Sequence, residues 1–368
     1  MGRVCVAISG GVDSAVAVHL LLKQGHAVET VHMRTWQSED GAGECPWRED
    51  LESARSVAEF LGVPFRVVSM MSHYRNCVVD PLIGGYAGGI TPNPDMLCNR
   101  HIKFGRLLEN VLESGCDFLA TGHYCRLKRR CGGECSLHSG LDGTKDQSYF
   151  LAAVRREVLP SLLFPIGNLT KVQVRAIART VGLPNAGRRD SQDICFLGGK
   201  ISIRDFLGRH LAASPGDIVT RDGRLLGQHR GLFRYTIGQR RGIGVPSNRD
   251  FENYVVIDRD VHHNRLVVAF ESDAGNDLWT SEANLHSVNF LCAPLSGCRK
   301  LSAKTRYRDA SVPVTVTFGH SGTAHVAFVR PERALAAGQT LAFYRGSRLL
   351  GGGIYESMPR EPQWREPQ

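Results

Sequence analysis

Two cysteines have surroundings that could support thiol chemistry. Cys98 ends the segment TPNPDMLC, in which two prolines prevent regular structure, and it stands just before a predicted helix. The helix N-terminus and the nearby Arg100, His101 and Lys103 would stabilise a thiolate there. Cys195 ends the polar stretch RRDSQDIC beside apolar residues. A buried, inert thiol is the commoner outcome for one such cysteine, but both contexts together favour a catalytic pair.

A glycine-rich turn provides the second kind of chemistry. Residues 9–14 read SGGVDS, follow a predicted strand and open a predicted helix. Glycines allow backbone N–H groups to approach an anion closely, and the helix N-terminus adds a favourable dipole. The turn lacks the Gly-Lys-Ser ending of a Walker loop and is not a Gly-x-Gly-x-x-Gly motif. It predicts a phosphate site of another kind.

The elements that must position these residues change character along the chain. The first 125 residues alternate β-branched runs with amphipathic stretches, which predicts a parallel α/β sheet that binds ligands at the carboxyl ends of its strands. Its predicted strands are Val4–Ile8, Val28–Met33, Phe65–Ser69 and Phe118–Thr121. Its predicted helices are Ala15–Lys23, Asp50–Leu61 and Arg100–Glu113.

The second half of the chain is predicted to be mainly β. Residues 145–210 read as mostly helical, with one helix at Lys171–Val181 between the N-cap Thr170 and Gly182. From about Asp217 onward, short alternating runs with Asp-Gly and Gly turns predict an all-β region. A polar stretch at 271–277 divides this region. We therefore predict an α/β domain at 1–212, a small β-rich domain at 213–272 and a C-terminal β-barrel at 273–360.

Composition limits the class of protein. The chain has 368 residues, 42% hydrophobic and 22% charged, which excludes a disordered or fibrous protein. The net charge of +9 and the pI of about 9.1 suit a polyanionic partner such as nucleic acid. Eleven cysteines, an odd number, and the lack of a signal peptide or a long apolar run predict a reducing compartment and no membrane span.

Several motifs in order resemble a known family. The strand, SGGVDS turn and helix are similar to the pyrophosphate loop of N-type ATP pyrophosphatases. Over residues 3–356 the chain resembles the bacterial and mitochondrial tRNA 2-thiouridylases. The further motifs that carry this resemblance are TPNPDMLCN at 91–99, KDQSYFL at 145–151, RRDSQDICFL at 188–197, FRYTIGQRRG at 233–242, KTRYR at 304–308 and LGGGI at 350–354.

The resemblance implies a reaction. ATP would adenylate the C2 oxygen of the wobble uridine in a tRNA, releasing pyrophosphate and turning a poor leaving group into AMP. Cys195 would carry sulfur as a persulfide that attacks C2, and Cys98 would release it by forming a disulfide with Cys195, which requires Cα atoms within ~7 Å. Asp95 would transfer protons and contact the base. We also expect the loop of Cys195 to order or move when tRNA binds.

The resemblance also implies binding residues and partners. Those for ATP are Ala7, Ile8, Ser9, Gly10, Gly11, Val12, Asp13, Ser14, Met33 and Gly122. Those for tRNA are Asn93, Pro94, Asp95, His123, Lys145, Asp146, Gln147, Arg306, Tyr307 and Gln339. No protein metal site is assigned; Mg²⁺ is expected with ATP, with Asp13 as one candidate contact. Expected partners are lysine, glutamate or glutamine tRNAs and a sulfur-relay protein or cysteine desulfurase. The expected location is the mitochondrial matrix or a bacterial cytoplasm, with the basic pI and residues 88–95 favouring the former.

Some features depart from this pattern or leave alternatives open. Asp193 stands where the family usually has glycine, and its charge would slightly disfavour a thiolate at Cys195. The insertion containing Cys131, with Cys125 and Cys135, could suggest zinc, although it lacks paired Cys-x-x-Cys ligands. Three other functions stay open: a different ATP pyrophosphatase such as a lysidine synthase or an amidotransferase-like synthetase, an iron-sulfur protein that uses Cys98, Cys195 and Asp95, and a non-catalytic tRNA-binding module.

Overall fold

Three β-sheets organise the part of the chain that the structure describes. It is a computed structural model that describes residues 1–36, 46–130, 132–190, 201–247 and 249–356. Its strands are β1 (Arg3–Ala7), β2 (Ala27–Arg34), β3 (Phe65–Ser69), β4 (Phe118–Thr121), β5 (Cys125–Arg129), β6 (Cys135–Ser139), β7 (Leu162–Leu163), β8 (Gly216–Thr220), β9 (Leu225–His229), β10 (Tyr254–Asp260), β11 (Arg265–Phe270), β12 (Trp279–Phe290), β13 (Gly297–Lys304), β14 (Val312–Phe318), β15 (Ala324–Arg333), β16 (Thr340–Arg345) and β17 (Arg348–Tyr355). Its α-helices are α1 (Val12–Lys23), α2 (Pro46–Phe60), α3 (Met71–Tyr74), α4 (Asp80–Ala87), α5 (Pro94–Leu97), α6 (Leu108–Glu113), α7 (Lys171–Val181), α8 (Ile203–His210) and α9 (Gly275–Leu278). Within the described ranges, no helix is long and apolar enough to cross a lipid bilayer.

The first sheet is parallel, as the alternating pattern predicts. Its strand order is β3-β2-β1-β4-β7. Buried valines of β1 and α1, such as Val4, Val6 and Val16, pack together in the core on one face. The chain leaves β1 toward β2 on one side, while β4 lies on the other. The carboxyl ends of β1 and β4 therefore form a switch point, where sheets of this kind bind ligands.

Helix α7 confirms the predicted start and stop signals. The Thr170 hydroxyl accepts a hydrogen bond from the Gln173 backbone N–H at 3.3 Å, and the Gln173 side chain accepts one from the Thr170 N–H. Gly182 ends the helix in a left-handed conformation with φ of 75°. These caps explain why the sequence alone located both ends.

The predicted helix at 100–113 begins earlier and winds more widely than expected. It starts with α5, continues as a π-helical segment at Cys98–Leu107 and ends with α6. Gly105 suits this winding, since a Cβ there would lie 2.9 Å from the carbonyl oxygen of Arg100. Such segments are frequent at functional sites. Cys98 is the first residue of the π-helical segment.

The segment 145–210 is less helical than predicted. Its described residues form α7, α8 and two short 3₁₀ turns, at Ser148–Leu151 and Arg156–Ser161. Apolar residues of the first turn pack on other strands, and the Tyr149 hydroxyl donates to the carbonyl oxygen of Thr340 at 2.8 Å. Pro160 lacks the N–H that a longer helix would need. The conformation of this segment depends on contacts with strands that are distant in sequence, and a local sequence pattern does not reveal such contacts.

The region from residue 216 onward is mainly β-structure, as predicted, although it also includes the short helix α9. A four-stranded sheet has the order β10-β11-β8-β9. Strands β12 to β17 form a second, antiparallel sheet in the order β12-β15-β14-β13-β16-β17, and pairing of β12 with β17 closes it into a barrel. Closure removes the exposed edges that an open sheet would present. Aliphatic and aromatic side chains of these strands fill the barrel interior.

A hairpin from the N-terminal part of the chain extends the barrel sheet, which the sequence did not predict. Strands β5 and β6 pair with each other, and β6 pairs with β17 through Leu137 opposite Leu349. The insertion that suggested zinc lies at the turn between β5 and β6. Its Cys131 lies outside the described residues. The hairpin joins the N-terminal region to the barrel.

A buried ion pair ties these two regions together and gives a stability prediction. Lys304 Nζ lies 2.9 Å from Oδ2 of Asp146, a side chain that is 3% exposed. Burial acts to raise the pKa of Asp146, but hydrogen bonds from Lys304 and from the backbone of Gly140 and Ser148 lower it overall. We expect Lys304→Met to lower the free energy of unfolding by about 3 kcal/mol, because it leaves a buried carboxylate without its partner.

Denaturant unfolding measures this effect. The matched control is Lys300→Met, at an exposed position of the same strand, which should change the unfolding free energy by less than about 0.5 kcal/mol. Equal unfolding curves for the two variants would contradict a stabilising role for the pair.

Candidate active site

The phosphate loop lies where β1 ends and α1 begins. Three donors hold the carbonyl oxygen of Gly10: Ser53 Oγ at 2.8 Å, Asn185 Nδ2 at 2.8 Å and Arg188 Nη1 at 3.1 Å. The first N–H groups of a helix have no partner within the helix. With the Gly10 carbonyl fixed by these side chains, the N–H groups at the start of α1 are left to bind an anion.

Two glycines are required by the packing around this loop. Gly10 has a φ of 81°, and a Cβ there would lie 2.4 Å from the Asp50 carbonyl oxygen. A Cβ on Gly122, directly after β4, would lie 2.7 Å from the Ser14 backbone nitrogen. The phosphate loop and the end of β4 are therefore in direct contact. Met33, half-buried on β2, lies on the same edge of the sheet, so the expected nucleotide positions are on neighbouring strands.

Gly122→Ala is expected to weaken ATP binding. The methyl group would displace the backbone at Ser14, which should raise the KM for ATP about tenfold or more, since small misplacements at a site have large effects. Steady-state AMP formation at varied ATP measures this. The matched control is Gly143→Ala, where a Cβ meets nothing within 4 Å. An unchanged KM in Gly122→Ala would exclude this edge as the nucleotide site.

A cluster of charged side chains surrounds the loop. Oδ1 of Asp13 accepts hydrogen bonds from the Tyr124 hydroxyl at 2.8 Å and from Lys171 Nζ at 2.6 Å. The same Lys171 Nζ lies 2.9 Å from Oδ1 of Asp190. Asp190 also pairs with Lys145 Nζ at 2.9 Å and with Arg175 Nη2 at 2.5 Å. Of these residues the sequence suggested only Asp13 and Lys145.

The electrostatics of this cluster suit a polyphosphate. Burial acts to raise the pKa of Asp190, but hydrogen bonds from Lys145, Lys171 and Arg175 hold it well below its usual range. Burial and the neighbouring Asp13 carboxylate raise the pKa of Tyr124, which keeps its hydroxyl protonated as a donor. Three cations thus converge on Asp190, and one of them, Lys171, also reaches Asp13 in the first turn of α1, where the phosphates of a nucleotide would gain from it.

The segment before Cys98 is held in one conformation by its own caps. The Asn93 side chain accepts hydrogen bonds from the backbone of Asp95 at 3.1 Å and of Met96 at 3.2 Å, and Pro94 occupies the first helical position. Burial raises the pKa of Asp95, an effect that the nearby Lys103 opposes. A carboxyl group with a raised pKa is suited to proton transfer.

Cys98 itself is 3% exposed. The next residue, Asn99, donates from Nδ2 to the carbonyl oxygen of Phe150 at 3.1 Å, which fixes the start of the π-helical segment. Cys195 lies outside the described residues. The expected approach of Cys195 to Cys98 and the expected movement of its loop therefore stay predictions. Among the described side chains, no group of three or more histidine, cysteine or acidic residues could hold a metal ion.

The expected RNA contacts in the N-terminal region are mostly engaged within the protein. Lys145 keeps 39% of its side chain exposed, but its Nζ pairs with Asp190 at 2.9 Å. Oε1 of Gln147 accepts from the Tyr124 backbone at 3.1 Å, and Asp146 is buried with Lys304. Burial, with a smaller contribution from Lys103, lowers the pKa of His123 well below its ordinary value, so its ring is neutral. The contacts with tRNA stay predictions.

Of the three expected contacts in the barrel, Tyr307 packs against the N-terminal region and Arg306 is engaged within the barrel. Arg306 donates to the carbonyl oxygens of Arg333 at 2.7 Å and Ala334 at 2.6 Å. The ring of Tyr307 lies 4.4 Å from that of Phe150, centroid to centroid. Gln339 is half-buried. Tyr307 therefore contacts Phe150, the residue whose carbonyl oxygen accepts the hydrogen bond from Asn99, next to Cys98.

The parallel sheet and the SGGVDS turn at its switch point define an ATP pyrophosphatase of the phosphate-loop class. The tRNA-specific 2-thiouridylase MnmA of Akkermansia muciniphila is 44% identical over 359 residues, which cover 97% of this chain and 99% of that protein. The MnmA of Klebsiella pneumoniae subsp. pneumoniae is 42% identical and covers 96% of each. The chain belongs to the tRNA-specific 2-thiouridylase family.

Family models match in three consecutive segments. They are described as a tRNA methyl transferase HUP domain at 2–199, a tRNA methyl transferase PRC-barrel domain at 204–270 and an aminomethyltransferase beta-barrel domain at 280–355. A solved 4-thiouridine synthetase in complex with RNA and bound ATP is 19% identical, covering 54% of this chain and 46% of its own, with a TM-score of 0.34. That similarity is too low to bear on function.

Proposed function

We propose that the protein transfers sulfur to C2 of the wobble uridine of a tRNA in a reaction driven by ATP. One observation carries the proposal: the π-helical segment that begins at Cys98 packs against the nucleotide edge. The ring of Phe104 lies 5.5 Å from the ring of His123, and the neighbouring Gly122 touches the phosphate loop at Ser14. Two contacts, Phe104 with His123 and Gly122 with Ser14, thus connect the segment of Cys98 to the proposed ATP site.

The first step is adenylation. The C2 oxygen of uridine attacks the α-phosphorus of ATP, the bond to the β-phosphate breaks and pyrophosphate leaves. The N–H groups at the start of α1 hold the phosphates, while Lys171 and Lys145 stabilise the charge that grows on the leaving pyrophosphate. Mg²⁺ would screen the triphosphate when bound, and Asp13, partly exposed beside the loop, is the candidate protein contact.

The second step is sulfur transfer. The terminal sulfur of a Cys195 persulfide attacks C2, and AMP leaves with the former C2 oxygen. The Cys98 thiolate then attacks Sγ of Cys195, the sulfur-sulfur bond to the nucleotide breaks, and its electron pair forms the thiocarbonyl. This leaves a Cys98–Cys195 disulfide, which an external dithiol must reduce. Asp95, with its raised pKa, moves protons at the base.

The remaining parts of the proposal concern RNA and partners. The chain divides into three domains, at 1–212, 213–272 and 273–360. With its net charge of +9, it binds a tRNA of the lysine, glutamate or glutamine type through the first and the third of these domains. A sulfur-relay protein or cysteine desulfurase supplies the persulfide. Both relatives named above are bacterial, so they do not support the mitochondrial location that the basic pI favoured, and we propose a bacterial cytoplasm.

Product analysis tests this function. Unmodified glutamate tRNA is incubated with protein, MgATP and a persulfide source, and its nucleosides are separated by mass spectrometry. The proposal requires 2-thiouridine together with AMP. AMP formed without 2-thiouridine would point to another adenylating enzyme, and the absence of both products would favour a binding role.

A further inference from the structure

The turn before the cysteine segment, residues 88–92, is where helix α4 of the N-terminal region, the central sheet and the barrel meet. Arg259, a residue that is 9% exposed, reaches it from β10 of the central sheet. Its Nη2 donates to the carbonyl oxygen of Gly89 and to Thr91 Oγ1, the latter at 3.5 Å. Its Nη1 donates to the carbonyl oxygen of Tyr235 at 3.1 Å, within its own module. One guanidinium thus bridges the central sheet and this turn.

The barrel holds the same turn from another side. The Thr91 backbone N–H donates to the carbonyl oxygen of Ala337 at 2.8 Å. Gly338 packs directly on it, since a Cβ there would lie 3.0 Å from the Thr91 nitrogen. On the third side, a Cβ on Gly85 of α4 would lie 2.3 Å from Cγ of Pro92. The turn is therefore enclosed by α4, the central sheet and the barrel.

Asn93 and α5 follow this turn directly, and α5 leads to Cys98 without a break. Where the turn lies therefore determines where the cysteine lies. A buried guanidinium is suited to such fixing, because its donors lie in a rigid plane and lose little freedom per hydrogen bond. Removing it leaves the Gly89 carbonyl without this donor, which favours local opening of the turn.

We propose that Arg259 is a positioning residue for Cys98: it holds the 88–92 turn and thereby keeps the thiol at the place where sulfur is released. The inference rests on the proposed function of Cys98. It gives the central sheet a role in the chemistry that is separate from RNA binding. Arg259→Met should lower the kcat for thiolation about 10- to 100-fold, as a misplacement of about 1 Å does, with the KM for tRNA changed less than about twofold.

Alkylation of Cys98 tests the positioning directly. The rate of iodoacetamide labelling is followed by peptide mass spectrometry, with the exposed Cys298 as an internal standard in the same molecule. In Arg259→Met, Cys98 should react about tenfold faster than in the wild type, while Cys298 is unchanged. Arg265→Met, at an exposed position on the adjacent strand β11, should leave both rates and kcat unchanged.

The inference would be overturned if Arg259→Met labelled Cys98 at the wild-type rate and kept the wild-type kcat. It would also be overturned if Arg265→Met changed the labelling rate and kcat as much as Arg259→Met does. If Arg259→Met unfolds, Arg259→Lys decides, because the flexible lysine side chain lacks the rigid, planar fork with which Arg259 holds the Tyr235 and Gly89 carbonyls together. It should label Cys98 several-fold faster, and a wild-type rate would overturn the inference. Labelling needs no turnover, so absent thiolation in the wild type would contradict only the proposed function.

Discussion

Replacing Cys98 with serine is expected to lower 2-thiouridine formation by at least about 10³-fold, since removal of a nucleophile can cost roughly 10⁶-fold. A hydroxyl group cannot attack the sulfur-sulfur bond and form the disulfide. Adenylation does not use Cys98, so Cys98→Ser should still release AMP and pyrophosphate in its first turnover. The tRNA should then remain attached to Cys195 through the transferred sulfur. Denaturing gels without thiols should display this adduct, and dithiothreitol should cleave it.

The control is Cys298→Ser, at an exposed cysteine on β13. It should thiolate tRNA at the wild-type rate and accumulate no adduct. Normal thiolation by Cys98→Ser would exclude release through a disulfide, and loss of AMP as well would mean that Cys98 acts in adenylation.

Lys171→Met is expected to lower the rate of AMP formation about 10²- to 10³-fold, the effect of removing one group that stabilises developing charge. The ammonium of Lys171 lies 2.6 Å from Asp13 in the phosphate loop and 2.9 Å from Asp190. In the variant both carboxylates face the nucleotide with one cation fewer, so they repel its phosphates. The rate is measured at saturating tRNA by monitoring the release of labelled pyrophosphate.

Lys23→Met is the control, since this lysine is exposed in the last turn of α1, at the end away from the phosphate loop. It should form AMP normally. A Lys171→Met protein that forms AMP at the wild-type rate, with an unchanged KM for ATP, would remove Lys171 from the nucleotide site.

The sequence predicted the parts of the site that are local in the chain. The phosphate loop is one continuous turn whose glycines and helix start can be read directly. Lys171 was predicted only as the beginning of a helix, because its partners Asp13 and Asp190 are distant in sequence. One signal was available: a lysine in the first turn of a helix opposes the helix dipole, so it needs acidic partners from elsewhere.

The same distinction explains the fold. Caps predicted α7 to the residue, whereas the 3₁₀ turn at Ser148–Leu151 follows from contacts such as that of Tyr149 with Thr340. The β5–β6 hairpin pairs with β17 more than two hundred residues later, so no local pattern indicates its partner. The sequence did not indicate the proposed role of Arg259 for the same reason, since that role depends on the backbone of a turn about 170 residues earlier in the chain.

One single-turnover experiment tests the central claim, which is that Cys195 delivers sulfur to tRNA and Cys98 releases it. Protein loaded with a persulfide of a heavy sulfur isotope is freed of donor and mixed with unmodified tRNA and MgATP. The account predicts one heavy sulfur in 2-thiouridine for each AMP formed, together with a Cys98–Cys195 disulfide in the peptide map. Labelled 2-thiouridine formed while both cysteines stay reduced, or AMP formed without any label in the tRNA, would contradict it.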